Sequence, residues 1–284
     1  MPELPEVEIL VRHLAPLLNG KTIRGIEVRR KKVIAPTSVR ELSTALRGAK
    51  FTGVTRRGKY LLFMLRRGGA RKPVSLVGHL GMTGRMYLLP KRAALPRHAA
   101  VVIELARHQF VYEDTRYFGR LTLDTNGVAK LGPEPLGSEF TPDYFWGALQ
   151  RSSQSIKVKL LDQTLVAGIG NIYASEALFR AGISPRLAAR KLTRPMARRL
   201  LQSIKRVLAQ AIRNGSTLPL DFAGKKSSDE LFYYGATGNE SGFYQERLQV
   251  YDRHGKPCVR CGKDIERIVQ AARSTFYCSY CQRG

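Results

Sequence analysis

All four cysteines of this 284-residue chain fall within its last 27 residues, spaced Cys258-x2-Cys261 and Cys278-x2-Cys281 with 16 residues between the pairs. Two such tight knuckles can place four thiolates at the corners of a tetrahedron, the geometry Zn²⁺ prefers. The residues between them read as a β-hairpin, Ile265 to Ala271 and then Ser274 to Tyr277. Disulfides or a redox pair are the alternatives, but the rest of the chain offers no cysteine from which to build a disulfide framework. The expected site is one structural Zn²⁺, because four protein ligands leave no position open for water. Arg273 stands just before the return strand, where a side chain at a hairpin tip can reach a phosphate.

The remaining residues divide by pattern. From Thr22 to Leu123 short β-rich runs dominate: Ile23–Val28, Phe51–Arg56, Tyr60–Leu65, Val74–Val77, Ala100–Leu105, Gln109–Glu113 and Leu121–Leu123. One helical stretch near Val39–Leu46 interrupts them, and their spacing by turns predicts an antiparallel sandwich. Ahead of them, Val7, Leu10, Val11, Leu14, Leu17 and Leu18 keep helical spacing up to Gly20. Asp124 to Pro142 is rich in Gly and Pro and reads as a linker. Beyond it the pattern becomes helical, with Tyr144–Gln150, Ile156–Leu160, Ile172–Ala181 and a long, basic Arg194–Asn214. The helices flanking Gly182-Ile183-Ser184-Pro185 suggest a helix–turn–helix. The fold class is therefore α+β: an N-terminal antiparallel β-sandwich with flanking helices, a helical region with a helix–turn–helix, and a zinc-finger hairpin.

Charge narrows the partner. With 48 Lys and Arg against 22 Asp and Glu, the net charge is +26 and the pI about 10.4. So large an excess repels itself unless a polyanion is bound. Residues 1–150 carry 25 basic and 12 acidic side chains, and residues 151–223 carry 13 and 3. Residues 224–257 balance at 5 and 5. The N-terminus is acidic and lacks an apolar signal segment, so a chain at work in the cytoplasm is expected.

The opening Met1-Pro2-Glu3-Leu4-Pro5-Glu6-Val7-Glu8 carries candidate chemistry. Removal of Met1 leaves Pro2 with a free secondary amine that can attack a sugar aldehyde carbon. The resulting iminium has no N–H to lose, so it stays cationic and drives elimination. Glu3 and Glu6, three residues apart, suggest acid/base work on one helical face beside that nitrogen. Proline and acidic residues also suit an ordinary helix start.

Three loops add to the set. Gly168-Ile169-Gly170-Asn171 precedes a helix, where backbone amides can approach an anion and Asn171 can either cap the helix or donate to a phosphate. Met82 in Gly78-His79-Leu80-Gly81-Met82-Thr83-Gly84 and Phe118 in Glu113-Asp114-Thr115-Arg116-Tyr117-Phe118-Gly119 can be wedges that unstack bases, or plain core residues. Arg116 is placed to fill the space that an extruded base leaves, whereas Arg57-Gly58-Lys59 reads equally as a solvated basic turn.

Pro2 to Glu8, Arg57-Gly58-Lys59-Tyr60, His79-Leu80-Gly81-Met82, Gly168-x-Gly-Asn-Ile-Tyr-Ala-Ser-Glu176 and the terminal cysteines occur together and in order. In this the chain closely resembles the formamidopyrimidine-DNA glycosylase family, bifunctional DNA glycosylases and abasic-site lyases, over nearly its whole length. The resemblance implies an N-terminal β-sandwich over residues 1–135, a helix–two-turn–helix domain with a base-capping loop over 136–245, and a four-cysteine finger over 246–284, with DNA in the cleft between lobes. It implies a monomer in the bacterial cytoplasm that removes 8-oxoguanine and formamidopyrimidines from duplex DNA and then nicks the strand by β,δ-elimination. It makes Pro2 the nucleophile, Glu3 the acid that assists sugar-ring opening, and Glu6 its support. Lys59 becomes the proton donor and phosphate contact for β-elimination, and Arg273 the phosphate clamp for δ-elimination. His98, Arg116 and Asn171 become DNA contacts, with Met82, Arg116 and Phe118 filling the void.

The chain departs from the family at three places. The usual Gly-Arg-Gly-Thr hairpin reads Ala272-Arg273-Ser274-Thr275, and the basic run before Ile156-Lys157 is thinned to Arg151-Ser152-Ser153-Gln154-Ser155. Ala223 to Gly242 is longer than expected; it can fold over an extruded base and stack Tyr233 or Tyr234 on it, or equally be a disordered surface insertion. Two rivals remain. An endonuclease VIII-type glycosylase for oxidised pyrimidines usually opens Pro-Glu-Gly-Pro, against Leu4 here; a non-catalytic zinc-finger DNA-binding protein leaves Pro2, Glu3 and Lys59 without explanation.

Overall fold

The computed structural model describes residues 2–69, 73–215, 220–221, 233–234 and 248–283. They form two compact units. The first gathers Pro2 and Glu6–Ala129 with two short strands described below; the second gathers the described residues of Glu3–Pro5, Lys130–Thr217 and Gly242–Gly284. Among the described residues no helix is long and apolar enough to cross a membrane.

Helix α1 (Leu4–Leu18) opens the chain and turns Val7, Leu10, Val11, Leu14 and Leu18 into the first unit's core. Because it begins at Leu4, Glu3 lies outside it, and the expected shared helical face of Glu3 and Glu6 is not formed. Strand β1 (Gly25–Val28) and helix α2 (Val39–Leu46) follow. The second carries a full capping box: the Ser38 hydroxyl accepts from the Glu41 amide, and the Glu41 carboxylate accepts from the Ser38 amide.

Strands β2 (Lys50–Arg57), β3 (Tyr60–Arg66), β4 (Val74–His79), β5 (Gly84–Pro90), β6 (Ala99–Glu104), β7 (His108–Asp114) and β8 (Arg120–Thr122) complete two four-stranded antiparallel sheets, ordered β1-β6-β7-β5 and β2-β3-β4-β8. Phe51, Phe63, Leu76, Val101, Ile103, Phe110 and Tyr112 meet in the core that belongs to both. Strand β5 is absent from the turn-spaced runs of the sequence. Its Met86, Tyr87, Leu88 and Leu89 are all buried, so the alternation that betrays a half-exposed strand is missing. Helix α3 (Asn126–Ala129) closes this stretch.

The second unit is built on α4 (Pro142–Gln150), α5 (Ile156–Leu160), α6 (Asn171–Ala181) and α7 (Arg194–Arg213). Helix α6 is buried along almost its whole length, its Tyr173, Ala174, Ala177 and Leu178 sharing a core with Leu200, Leu201, Ile204 and Leu208 of α7. Strands β9 (Leu220–Asp221) and β10 (Tyr233–Tyr234) pair antiparallel and belong to the first unit. The rest of the long loop expected to cap an extruded base lies outside the described residues. Strands β11 (Glu266–Gln270) and β12 (Arg273–Tyr277) form the finger hairpin, and Phe276, Ile265 and Cys278 pack on Phe179 of α6.

Glu176 holds that packing in place. Its buried carboxylate accepts the backbone amides of Gln249, Val250 and Tyr251 at 3.0, 2.9 and 2.9 Å. Burial pushes its carboxyl above the usual range, and the three amides oppose that rise. Glu176→Gln keeps the volume but points an NH2 at amides that need an acceptor. It should cost about 2–3 kcal/mol, read as a lowered urea midpoint of the second unit in the zinc-loaded protein, with the first unit's transition unmoved.

Candidate active and nucleic-acid-binding site

The N-terminus of α6 is capped from far along the chain. Its own N-cap residue, Gly170, has no side chain, and Asn171 is the first helical residue rather than the cap considered from sequence. The cap is Glu3, whose carboxylate accepts the amides of Gly170 at 2.8 Å, Ile172 at 2.9 Å and Tyr173 at 3.3 Å. A negative charge at a helix N-terminus is favoured both by those orphan donors and by the helix dipole. The cradle requires glycine, because a Cβ at Gly170 would overlap the Glu3 carboxyl carbon. Leu4 ties the same stretch down by donating its amide to the Gly168 carbonyl at 3.1 Å.

Freed from capping, the Asn171 side chain accepts from the Lys157 ammonium and donates to the Ser274 carbonyl at 2.8 Å. Lys157 is only 1% exposed and also reaches the Thr275 hydroxyl at 3.5 Å. Burial draws its pKa down to about 8; Glu3 opposes this and Arg273 adds to it. One buried ammonium thus joins α5, the start of α6 and the finger hairpin. Sequence reading noticed Lys157 but assigned it nothing, and with Lys159 on the same short helix nothing in the sequence singles it out.

Ala271 and Ala272 form the two-residue tip of that hairpin, with φ of 47° and 58°. A turn with positive φ at both positions matches strand twist but favours Asn-Gly over residues bearing a methyl. The departure from the family's Gly-Arg-Gly-Thr therefore leaves a regular hairpin, with Arg273 exposed at the start of β12 and paired with Gln270.

In the first unit, Pro2 is buried and Glu6 fully so. Lys59 is buried in the turn between β2 and β3. A relay fixes this turn: Glu8 accepts from Arg56 at 2.8 Å, and Arg56 donates to the Gly58 carbonyl at 3.1 Å. Burial resists ionisation of Glu8, but Arg56 and Arg12 outweigh it and hold the carboxyl below its ordinary range. His79, paired with Tyr60 across the sheet and 4.8 Å from its ring, is lowered to about 4 by burial, Lys59 and Arg120, so it is neutral at pH 7.

Met82, Arg116 and Phe118 come together at the surface. Met82 is 47% and Phe118 49% exposed, and the Arg116 guanidinium stacks 4.8 Å over the Phe118 ring and contacts the Met82 sulfur at 3.4 Å. Their two loops are tied by Asp114, which accepts from Thr83 (2.6 Å), Gly119 (2.9 Å), Arg116 (3.1 Å) and Tyr112 (3.2 Å). Burial raises and these bonds lower its pKa, with a net fall. Gly119 permits the close approach, since a Cβ there would overlap the Tyr112 hydroxyl. His98 stands beside the cluster, its Nδ1 3.4 Å from the Tyr117 hydroxyl. Sequence reading missed Asp114, although a carboxylate two residues before a loop amide is a turn signal.

The four cysteines meet in the finger. Their Sγ atoms lie within 4.8 Å of one another, Cys258 to Cys281 at 3.9 Å and Cys261 to Cys278 at 3.5 Å. Tetrahedral Zn–S bonds of about 2.3 Å place sulfurs about 3.8 Å apart, whereas a disulfide needs about 2.0 Å. The donor set fits one structural Zn²⁺, which holds the two knuckles and the hairpin between them.

Residues 1–121 match the formamidopyrimidine-DNA glycosylase N-terminal domain, 131–220 its H2TH domain, and 255–284 the zinc finger found in FPG and IleRS. The chain is 39% identical to a formamidopyrimidine-DNA glycosylase of Carboxydothermus hydrogenoformans over the whole of both proteins. It is 42% identical to that of Symbiobacterium thermophilum, covering 99% of this chain and 89% of the relative. Among solved structures it is similar to wild-type Lactococcus lactis Fpg in complex with DNA containing N7-benzyl-Fapy-dG, at 33% identity and a TM-score of 0.85 over all of both chains. It is also similar to the Lactococcus lactis protein bound to THF-DNA and an inhibitor, at 34% and 0.87, again over all of both. The chain belongs to the formamidopyrimidine-DNA glycosylase family, whose members combine glycosylase and abasic-site lyase activity.

The hairpin tip generates a test. Replacing Ala271-Ala272 by Asn-Gly removes the cost of two methyl-bearing residues at positive φ. It should raise the stability of the second unit by about 1 kcal/mol, measured by urea unfolding with zinc bound.

Proposed function

We propose that this protein excises oxidised purines, 8-oxoguanine and formamidopyrimidines, from duplex DNA through a Schiff base at Pro2, then cleaves the strand by β,δ-elimination. It acts as a monomer on chromosomal DNA in the bacterial cytoplasm. The observation that carries this reading is the Glu3 carboxylate, fixed by three backbone amides one residue from the Pro2 nitrogen. An acid/base group held that tightly beside an amine suits ring opening at the carbon the amine attacks.

The Pro2 nitrogen bonds to C1′ and gives up its N–H proton, the glycosidic bond breaks, and the base leaves with the bonding electrons and takes up a proton. Glu3 supplies a proton to the ring oxygen as the sugar opens, leaving a cationic iminium. The iminium acidifies the C2′ hydrogen, and its loss expels the 3′ phosphate. A second proton loss expels the 5′ phosphate, and water releases Pro2. Glu6, buried in α1, supports the acid group. Lys59, positioned by the Glu8–Arg56–Gly58 relay, is assigned the proton transfer and a phosphate contact in the first elimination. Arg273, exposed at the hairpin tip, is assigned the phosphate of the second. Met82, Arg116 and Phe118 fill the stack that an extruded base leaves, and His98 and Asn171 contact the backbone.

Two experiments test the reading. A residue added before Pro2 converts the amine into an amide and should abolish both base excision and the borohydride-trapped adduct with an 8-oxoguanine duplex. Normal trapping by protein whose intact mass shows the extra residue would sink the Schiff-base assignment. Gly170→Ala displaces Glu3 from its amides and should slow single-turnover excision on the order of 10²-fold, while nicking of preformed abasic sites persists. Equal excision by variant and parent would remove Glu3 from the acid role.

A further inference from the structure

A groove of about 1180 Å³ lies in the second unit, at the opposite end of α6 from the Glu3 cradle. Asn171 and Arg180 are nine residues apart on α6, about 13.5 Å of helix. The groove is lined by Arg180, by Arg199, Lys205, Arg206 and Arg213 of α7, and by Arg260 of the first zinc knuckle, and among the described residues no carboxylate faces it.

Part of this charge has a local explanation. Arg199 donates to the Ala181 carbonyl at 2.8 Å, and Arg260 donates to the Arg180 carbonyl at 3.2 Å while stacking 4.3 Å from the Phe179 ring centroid. Both serve the negative end of α6. With Lys205 donating to the Gly137 carbonyl at 3.4 Å, three of the six cations are accounted for and three remain. Arg206 and Arg213 are exposed, and Arg180 is pulled below its ordinary basicity by burial and then by repulsion from Arg206 and Arg260. A merely solvated basic face spreads its charges over convex surface; here they converge on a concavity.

Charge identifies the occupant. Arg206 and Arg213 lie seven residues apart on one face of α7, about 10.5 Å of helix, and with Arg180 they line a concavity that holds no compensating carboxylate among the described residues. Such a groove suits a polyanion, which for a DNA-binding chain is the sugar–phosphate backbone. Leu136 and Val259 at the rim offer apolar contact to sugars. We propose that this groove binds the sugar–phosphate backbone of a second DNA segment while a first is engaged by the catalytic residues, so that one molecule bridges two duplexes. The proposal rests on reading the chain as a DNA glycosylase. Bridging lets the protein pass directly between segments without release into solution.

The test uses the zinc-loaded full chain saturated with a duplex bearing a reduced abasic site, to which a labelled undamaged duplex is added. Wild type should form a complex with two duplexes, seen by native mass spectrometry and anisotropy. Arg206→Glu with Arg213→Glu, both at exposed positions, should weaken the second binding at least tenfold. It should also lower the second duplex's salt slope by about 2, while leaving single-turnover cleavage of an 8-oxoguanine duplex within twofold of wild type. The inference is overturned if wild type takes up no second duplex or if the double variant keeps it. Parallel loss of cleavage would overturn it too, by showing one continuous surface, as would competition by poly-glutamate equal to that of DNA of the same charge. Failure of the glycosylase reading looks different: no 8-oxoguanine cleavage by wild type, whatever the count of bound duplexes.

Discussion

Everything proposed for this protein's chemistry hangs on a carboxylate that serves as a helix cap. Glu3 satisfies three amide donors at the start of α6, a helix whose first residue is 168 positions away in sequence. Such a cap is ordinarily local, supplied by the residue just before the helix. Here Gly170 occupies that position, and its lack of a side chain leaves space for a distant carboxylate. The arrangement does two things at once. It stabilises α6, and it pins the residue that follows the proposed nucleophile.

The same helix organises the rest of the second unit. With its cap supplied by Glu3, the Asn171 side chain is free to join Lys157 to the finger hairpin. One turn further on, Glu176 gathers the backbone of residues 249–251. At the last turn, Phe179 receives the zinc knuckle and the Arg180 carbonyl receives Arg260. The zinc site therefore extends the helix rather than forming an independent module, and Arg273 is placed by a hairpin whose base is closed by metal and whose flank is closed by Lys157 and Asn171. In the first unit Asp114 plays the comparable part, with four donors drawing two loops together under Met82, Arg116 and Phe118.

What the sequence made legible were features whose determinants are local. Thiolate spacing announces the finger, β-rich runs separated by turns announce most strands, and glycine-flanked loops mark the exposed Met82 and Phe118. The failures share a cause. Strand β5 is buried on both faces and shows no alternation. Glu3 reads as a residue of a helix start because its partners lie far along the chain. Lys157 and Glu176 carry no role legible in the sequence, because burial of a charge is decided by tertiary partners. The hairpin tip is the converse case, where Ala-Ala departs from local preference yet strand pairing and metal together hold the turn.

The central claim is that the amine one residue from the capped carboxylate is the nucleophile. Its most direct test is to digest the borohydride-trapped protein–DNA adduct and locate the modified peptide by mass spectrometry. The sugar remnant is expected on the N-terminal peptide, beginning at Pro2 without Met1. A remnant on the peptide containing Lys157, whose depressed pKa makes it the rival amine, or on that containing Lys59, would contradict it.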